Sequence, residues 1–391
     1  MYRRIVSSIV MLLVCTGASF GQASPDQRCS RSVVESDPAE ALSACNLVLE
    51  RDDLTDAARA AALKIRGRAL NKADRLDEGS ASFDQALRLA PDDAELHMRR
   101  GWSALENHDL GLATSHAQQA LKIDPSYAAA FDLVGAIYAE ESREEKFTEA
   151  KAAYDQAVKL DPVDPQPRYH IYQLFQGRSP RDELREIEGL LQLPASAINK
   201  PSPTLYYVRH TSYRIAASLI RARLLWQLGR INEAVQAFDQ AVAIDPDVLT
   251  YACRAEFHLQ TSAAEEVVQA DLDKALTLDP DFWFVRDVQA RVHFYSGRYD
   301  AAAADFARAL KQRPVNGYLH WWQARTLRKL GRGDEASSEA ITALEVDPHF
   351  LFSKVGMLQQ RGYLPKLAPD SDPRPALEDA ARACMLDQDC G

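Results

Sequence analysis

Cysteine is the residue type in this 391-residue chain whose spacing most directly suggests covalent chemistry. Cys29 and Cys45 form a close pair near the N-terminal end, and Cys384 and Cys390 form another near the C-terminal end. No cysteine or histidine pair has the short ligand spacing of a zinc site. We therefore favour one disulfide at each end over a metal site, with Cys253 left as an odd thiol. Closing the first loop would stabilise the chain by about 3 kcal/mol.

The segment 1–23 indicates the compartment in which such disulfides would form. Arg3 and Arg4 precede a short apolar run at 5–14, and small residues up to Ala23 suit signal peptidase. The run is too short to span a bilayer. We predict an exported, periplasmic protein that is cleaved near Ala23 and has no transmembrane span in the mature chain. The alternatives are a retained anchor and a lipid-modified Cys15, the latter disfavoured because a bulky residue precedes it.

Residues that could perform catalysis form no recognisable motif. The sequence has no phosphate-binding glycine loop, no Gly-x-Ser-x-Gly elbow and no His-Glu-x-x-His pair. Its nine histidines are scattered, and many aspartates directly precede prolines, where they serve turn chemistry. We predict no enzymatic activity, no catalytic residues, no cofactor and no metal. A formal net charge of -10 also argues against nucleic-acid binding.

One short phrase recurs along the chain and always ends in proline. Its copies are ALRLAP, ALKIDP, AVKLDP, AVAIDP, ALTLDP, ALKQRP and ALEVDP, ending at Pro91, Pro125, Pro162, Pro246, Pro280, Pro314 and Pro348. The positions of these prolines differ successively by 34, 37, 84, 34, 34 and 34. The 37 reflects a longer turn, and the 84 leaves room for one irregular unit with an insertion. Internal periodicity of this length indicates a solenoid.

Within each unit the pattern is helical. Gly79, Phe83, Ala86 and Leu89 share one helix face because they step by four, three and three. Small residues let neighbouring helices approach closely, while the aromatic ring fills the gap beside them. The preceding helix of several units carries a further small residue with the same purpose, at Gly67, Gly101, Gly135, Ala222, Ala290 and Ala324.

This pattern resembles the tetratricopeptide repeat (TPR) family, which has a 34-residue helix–turn–helix unit and an alanine–aromatic–alanine–proline spacing. The resemblance covers roughly residues 60–350 and departs where Val268 and Leu272 replace the small residue and the ring. It implies an all-α fold, a right-handed helical solenoid of about eight TPR-type helix–turn–helix repeats with helical caps. Terminal repeats of such arrays need caps to cover an apolar face.

The predicted organisation has six parts. They are a signal peptide at 1–23, an N-terminal cap helix region at 24–59, an N-terminal TPR block at 60–164, an irregular repeat and insertion at 165–214, a C-terminal TPR block at 215–350, and a C-terminal cap and tail at 351–391. Within these parts we expect a lone helix at 37–49, a degenerate helix pair at 167–177 and 180–193, a loop at 194–203, an unusually long helix at 205–228 and a last helix at 376–386.

In the TPR family the first helices of successive repeats line a concave groove that holds a peptide. Carried over by helix position, the resemblance places nine arginine and aromatic residues of the C-terminal block there: Arg223, Trp226, Phe257, Arg291, Phe294, Tyr318, Trp321, Arg325 and Arg328. Arginine bonds carboxylates in bidentate fashion and aromatics supply contact area. We predict an acidic or carboxylate-ended polypeptide partner. The alternative is that these side chains pack within the fold, and the strip Lys64, Arg68 and Lys72 in the N-terminal block is more simply a solvated face.

Two other functions stay open from the sequence. Residues 358–364 (LQQRGYL) are similar to the start of small peptidoglycan-binding modules, so wall binding through 355–377 is one alternative. The later aspartate–glycine part of those modules is missing, and a capping helix explains the same residues. The other alternative is a self-associating envelope scaffold. Partner identity and oligomeric state are not encoded in any recognisable motif.

Overall fold

The computed structural model describes residues 24–142, 144–199, 212–347, 350, 354, 357–364 and 374–386, and these residues form an all-α helical repeat. The predicted signal peptide lies outside them. They divide after Leu174 into an N-terminal unit and a C-terminal unit. None of the helices among the described residues combines the length and apolarity needed to cross a membrane.

The N-terminal unit contains three cap helices followed by helix pairs. Its helices are α1 (Pro25–Arg28), α2 (Arg31–Ser36), α3 (Pro38–Leu49), α4 (Asp56–Lys72), α5 (Leu76–Leu89), α6 (Ala94–Glu106), α7 (Leu110–Ile123), α8 (Ala128–Glu141), α9 (Phe147–Leu160) and α10 (Pro165–Phe175), which ends at the boundary. The pairs α4–α5, α6–α7 and α8–α9 pack together, as the 34-residue period predicts.

The C-terminal unit continues the pairing. Its helices are α11 (Pro180–Leu191), α12 (Ala195–Ile198), α13 (Tyr213–Gln227), α14 (Ile231–Ile244), α15 (Val248–Gln260), α16 (Glu265–Leu278), α17 (Trp283–Tyr295), α18 (Tyr299–Gln312), α19 (Gly317–Lys329), α20 (Gly333–Val346) and α21 (Arg374–Leu386). The pairs are α13–α14, α15–α16, α17–α18 and α19–α20, and α21 packs on α20 as a cap.

The N-terminal cap is more elaborate than the predicted lone helix at 37–49. That helix is present as α3, and two short helices precede it. Ser24 begins α1, because its hydroxyl accepts a hydrogen bond from the Gln27 backbone N–H and the Gln27 side chain bonds back to Ser24. Cys29, after α1, forms a disulfide with Cys45 on α3. The cap is therefore closed on itself by a covalent link.

At the other end, Cys384 on α21 is disulfide-bonded. Its predicted partner, Cys390, lies outside the described residues. Cys253 on α15 carries a free thiol. Burial is the main cause that raises the pKa of this thiol to about 12, with the Glu256 carboxylate adding to it, so the group stays protonated and unreactive at neutral pH.

The prediction of a long helix at 205–228 is wrong in its start. Ser212 has extended backbone angles, with φ at -70° and ψ at 156°, and its hydroxyl accepts a hydrogen bond from the Ile215 backbone N–H. This N-cap begins α13 at Tyr213. Residues 205–211 lie outside the described residues. The predicted loop at 194–203 contains the short helix α12.

Two of the small residues on first helices, Gly67 and Gly135, face the aromatic rings of their partner helices, as predicted. A Cβ built at Gly67 would lie 2.6 Å from Phe83 Cε1, and one built at Gly135 would lie 2.6 Å from Tyr154 Cε1. Both rings are buried, Phe83 on α5 and Tyr154 on α9. Because glycine has no Cβ at these two positions, the two helices of each pair can approach each other closely around the ring.

We expect Gly135→Ala to destabilise the N-terminal unit by about 1–3 kcal/mol, because the added methyl group overlaps the Tyr154 ring. Gly111→Ala is the matched control. Gly111 is exposed on α7, where the nearest atom to an added Cβ is 3.7 Å away, so alanine should be neutral or stabilising by up to about 1 kcal/mol. Urea unfolding followed by circular dichroism measures both, and equal effects of the two substitutions would contradict the packing argument.

The turn inside several pairs requires one residue in the left-handed region. Three of the pairs meet this requirement with glycines, which have φ between 72° and 75°: Gly229, Gly297 and Gly331. Three other pairs place a residue with a side chain there, at φ between 57° and 62°: Asp74, His108 and Ser262. Such residues adopt this conformation only at a cost in free energy.

Candidate functional site

The nine predicted groove residues lie on four first helices of the C-terminal unit. Arg223 and Trp226 lie on α13, Phe257 on α15, Arg291 and Phe294 on α17, and the other four on α19. Adjacent first helices α15 and α17 pack on each other. Phe294 of α17 and Tyr318 and Arg325 of α19 come together around Trp322, whereas Trp226 of α13 and Phe257 of α15 form a separate contact.

Two of the predicted groove aromatics are core residues instead. Phe257 is 1% exposed, and its ring centroid lies 4.8 Å from that of Phe238 on the second helix α14. Trp321 is 6% exposed and packs on Phe350, with ring centroids 5.9 Å apart. The prediction that these rings offer a surface to a partner is wrong, because a second helix covers the first ring and the C-terminal cap covers the other.

The contact on α13 is smaller. Trp226 is half-buried, and its ring is nearly perpendicular to that of Phe257, with 5.7 Å between the ring centroids. Arg223 is exposed on the same helix, one turn before Trp226. The Trp226 ring thus extends the packing around Phe257 toward the surface, whereas the Arg223 side chain is exposed to solvent.

Arg291 is buried in an ion-pair network of its own unit. The residue is 3% exposed, and its Nη2 donates to Asp287 Oδ2 at 2.8 Å and to Glu256 Oε1 at 3.1 Å. Burial raises the pKa of Asp287 to about 6 although the Arg291 cation opposes that shift. The charge of Arg291 is already compensated, so the prediction that Arg291 is available to an acidic partner is wrong.

Arg325 differs from Arg291, because aromatic rings and not carboxylates contact its guanidinium. Its guanidinium carbon lies 4.2 Å from the ring centroid of Trp322 and 5.3 Å from that of Phe294. Its buried Nε has no hydrogen-bond partner, and no carboxylate among the described residues pairs with it. Burial lowers the pKa of Arg325, and the neighbouring Arg328 and Arg361 cations lower it further. The stacked guanidinium is therefore a fixed and uncompensated positive charge.

Trp322 and Tyr295 are site residues that the sequence analysis missed. Trp322 precedes Arg325 by three residues and shares its helix face, which is the signal that could have identified it. The Trp322 ring lies 5.9 Å from that of Tyr295 and 6.2 Å from that of Tyr318. Tyr295 is 64% exposed and Tyr318 is 39% exposed, so the two rings present apolar area to solvent.

We call Tyr295, Tyr318, Trp322, Arg325 and Arg328 the α17–α19 face. Phe294 lies beneath it at 8% exposure, with its ring edge-on to that of Trp322 at 5.3 Å. Burial is the main cause that raises the pKa of Tyr318 to about 12, so its hydroxyl keeps its proton and stays a donor at neutral pH. The face combines exposed aromatic area with positive charge.

The C-terminal cap contributes a further cation, Lys354, which contacts the Trp321 ring of α19. The Lys354 Nζ is 4.9 Å from the ring centroid of Phe350 and 5.4 Å from that of Trp321. Burial lowers the pKa of Lys354, and the Arg325 cation lowers it further.

The cations of the strip Lys64, Arg68 and Lys72 in the N-terminal unit are paired with carboxylates of the same chain. Lys64 Nζ is 2.8 Å from Asp93 Oδ2, whereas Glu35 on cap helix α2 contacts both Arg68 at 2.9 Å and Lys72 at 2.5 Å. Burial would raise the pKa of Glu35, but bonding to Lys72 and Arg68 outweighs it and lowers the pKa. The strip is thus internally neutralised.

His97 and His116 form a direct contact in the same unit. The His97 Nε2 lies 2.9 Å from the Pro91 carbonyl oxygen, and the two Nδ1 atoms lie 2.9 Å apart. A carbonyl only accepts, so His97 carries its proton on Nε2 and its Nδ1 accepts from His116 Nδ1–H. Burial lowers the pKa of His116 to about 4, and the neighbouring His97 and Arg100 contribute to the shift.

This pair predicts a loss of stability in mild acid. The unfolded chain binds the His116 proton near pH 6.5 and the folded chain only near pH 4, so the free energy of unfolding falls as the pH drops through that window. Partial solvent exposure limits the loss to about 1–2 kcal/mol. His116→Gln should flatten the dependence measured by urea unfolding from pH 7 to pH 4, and His108→Gln at an exposed site should not. A wild-type slope in His116→Gln would contradict this assignment.

Models of known protein families match the repeats of this chain. Tetratricopeptide repeat models match residues 66–128 and 288–347, and residues 142–164 and 216–248. The chain is a tetratricopeptide-repeat protein. The matched stretches lie in both units, and those at 216–248 and 288–347 include helices of the candidate site. The TPR fold is in general a scaffold for protein–protein interaction, and TPR proteins bind polypeptide partners.

Several solved TPR structures are similar to this TPR chain. A tetratricopeptide repeat protein from Parabacteroides merdae ATCC 43184 is 17% identical, with a TM-score of 0.48 over 69% of this chain and 99% of that one. YrrB, a TPR protein with an unusual peptide-binding site, is 18% identical, with a TM-score of 0.36 over 53% of this chain and 96% of that one. The first TPR of Spaghetti, bound to an HSP90 peptide, is 22% identical, with a TM-score of 0.28 over 31% of this chain and 94% of that one. Among curated proteins no significant match was found.

The segment that resembles the start of a peptidoglycan-binding module packs as a cap on this TPR array. Leu358 is 0% exposed and Leu364 is 3% exposed, in one cluster with Trp321. Gly362 has a φ of 81°, which ends the short helical stretch at 357–360. These residues serve packing, which is the capping interpretation of the sequence.

Proposed function

We propose that this protein is an exported, non-enzymatic scaffold that binds an acidic or carboxylate-ended polypeptide on the α17–α19 face. Arg325 carries the proposal, because it is held between aromatic rings and has no carboxylate partner among the described residues. The polypeptide partner would supply the missing carboxylate.

Other arginines on first helices of the C-terminal unit support this contrast. Arg254 pairs with Asp271 at 2.6 Å and Asp239 at 2.7 Å, and Arg286 pairs with Asp305 at 3.0 Å. Each of these cations has its own aspartate and needs no ligand. Arg325 also lies on a first helix. Its neighbours, however, are the rings of Phe294 and Trp322 and the cations of Arg328 and Arg361.

A polypeptide-binding site also needs exposed aromatic area, and Tyr295 and Tyr318 supply it. Interfaces gain most of their binding energy from a few buried aromatic and arginine residues. Tyr295 and Tyr318 expose rings that already rest on Trp322. A partner that covers these rings would bury apolar area without reordering the face.

Photo-crosslinking in the native envelope tests the proposal. A photo-reactive residue at Tyr318 should yield a discrete crosslinked polypeptide, which Arg325→Gln should abolish. The matched control is a photo-reactive residue at Leu278, which is 54% exposed on the second helix α16. Crosslinks from Tyr318 only within the chain would contradict a partner at this face. A crosslink to a second copy of the chain would instead support the self-associating scaffold.

Export is tested separately by determining the N-terminus of the mature protein. We expect cleavage near Ala23 and recovery in the periplasmic fraction. An intact Met1 in the cytoplasmic fraction would contradict the location without bearing on the binding face.

A further inference from the structure

We propose that a cavity between α11, α13 and α14 is a binding site for a small aliphatic monocarboxylate. The cavity has a volume of about 390 Å³, and small-molecule sites have volumes of roughly 300–1,000 Å³. All of its lining residues belong to the C-terminal unit. None of them belongs to the α17–α19 face, so this site is separate from the polypeptide site proposed above.

The cavity lies where the irregular helices meet the first regular pair of the C-terminal unit. Helix α11 packs on α13, and α13 packs on α14. Ile198 at the end of α12, Ser218 on α13 and Ala237 on α14 are buried and form the floor. Gln192 and Gln240 are exposed and line the opening. The cavity is therefore closed by side chains at its base and accessible from solvent.

Arg214 supplies the charge that determines the class of ligand. It lines the cavity from the first turn of α13, and its buried Nε has no hydrogen-bond partner. In the part of the chain that the structure describes, no carboxylate pairs with its guanidinium. A guanidinium stays protonated and binds a carboxylate through two parallel N–H bonds. A ligand carboxylate would therefore bond to donors that the fold leaves unpaired.

The other two charged side chains of the cavity compensate each other. Arg221 Nε lies 3.4 Å from Glu188 Oε1, and both side chains line the cavity. The excess charge is thus a single positive one, at Arg214. A single excess charge suits a monoanion, whereas a diphosphate or triphosphate would need several cations.

The apolar part of the lining indicates an aliphatic body for the ligand. Leu191, Ile198 and Ile244 contribute branched aliphatic surface, and none of the described residues that line the cavity is aromatic. A site without rings offers no stacking platform to a nucleobase or to an aromatic acid. An alkyl chain can still bury its surface there, and each CH₂ that enters the cavity should strengthen binding by up to about 4-fold.

Calorimetry with the full chain tests the proposal, with hexanoate as the probe. We expect hexanoate to bind and hexanamide, which has the same chain but no charge, to bind at least about 10-fold more weakly. Inorganic phosphate should compete poorly, because it lacks the apolar body. Affinity should rise from butanoate to hexanoate and then level off toward dodecanoate, once the chain is longer than the cavity. A continued rise would indicate binding to an open apolar surface and would overturn the site.

Variants locate the anion in the cavity. Arg214→Gln should weaken hexanoate binding about 10-fold or more. Gln240→Glu places a like charge at the opening and should weaken binding about 2- to 5-fold. Gln236→Glu is the matched control, because Gln236 is exposed on the same helix but does not line the cavity, and it should change the affinity less than about 2-fold. Thermal unfolding of each variant checks that the fold is kept.

Replacing Glu188 gives a result that loss of the fold cannot imitate. Glu188→Gln removes the negative charge from the cavity and leaves Arg221 without this partner. Hexanoate should then bind about 2- to 5-fold more tightly. Unchanged or weaker binding in Glu188→Gln would place the anion elsewhere on the protein.

The ligand series also separates this site from the polypeptide site. Equal affinity for hexanoate and hexanamide would overturn the assigned charge. Equal competition by phosphate would overturn the aliphatic body, and no binding of any acid at roughly 10 mM would overturn the site itself. None of these results bears on the crosslink at Tyr318, which tests the α17–α19 face.

Discussion

Replacing Arg291 by methionine is expected to reduce the free energy of unfolding of the C-terminal unit by about 3–5 kcal/mol. The substitution leaves Asp287, which is 2% exposed, without the cation that bonds it at 2.8 Å. Removing one partner of a buried ion pair has a large effect because the remaining charge is desolvated and uncompensated. Hydrogen exchange of peptides from α17, followed by mass spectrometry in increasing urea, measures the loss locally.

Two comparisons make this prediction specific. Arg325→Met removes an arginine that has no carboxylate partner, so it should reduce the free energy of unfolding by only about 1 kcal/mol, for the lost contacts with the rings. The loss in Arg291→Met should also shrink at pH 5, because the pKa of Asp287 is about 6 and its protonated form needs no cation. Equal destabilisation by the two substitutions would contradict the distinction between a structural and a binding arginine. Charge reversal at Arg291 is accordingly unsuited to testing partner binding.

Removing the N-terminal disulfide is expected to destabilise the N-terminal unit by about 3 kcal/mol, because the Cys29–Cys45 loop would no longer be closed in the unfolded chain. In Cys29→Ser with Cys45→Ser, α3 and the start of α4 should exchange amide hydrogens faster than in the wild-type protein. The contact of Glu35 with Arg68 and Lys72 should weaken with them, since Glu35 lies within the closed loop.

A thiol reductant provides the control for this double variant. It should accelerate exchange of α3 in the wild-type protein and leave α3 of the double variant unchanged. Cys253→Ser should behave as wild type, because Cys253 is free. Only peptides of the N-terminal unit are compared, because the reductant also acts on the disulfide of Cys384. Slow exchange of α3 in the double variant would show that α3 is held by packing alone.

The helices of this protein could be predicted from its sequence because each repeat contains its own local pattern of small, aromatic and apolar residues. The 34-residue period and the steps of three and four residues depend on neighbours within one unit. Gly67 and Gly135 indeed face the rings of Phe83 and Tyr154. The start of α13 was missed because the capping interaction of Ser212 is a single local hydrogen bond, which apolar periodicity does not reveal.

The candidate site was less predictable, because helix position does not say what covers a residue. Trp321 and Trp322 are sequence neighbours, yet the C-terminal cap covers the first ring and the second supports Arg325. Arg291 and Arg325 occupy equivalent positions in successive repeats, but only Arg291 has an aspartate one turn earlier on its helix. That aspartate, Asp287, is visible in the sequence and is the signal that could have separated the two arginines.

The turns inside the helix pairs bear on the order in which the chain folds. Pairs α17–α18 and α19–α20 turn through Gly297 and Gly331, whereas pairs α4–α5 and α6–α7 hold Asp74 and His108 at positive φ. In a repeat array each pair can nucleate, and the pair with the lowest local cost does so first. Folding is therefore expected to begin near the glycine turns of the C-terminal unit and to spread outward from them. The α17–α19 face would then be among the first surfaces to form during synthesis or refolding.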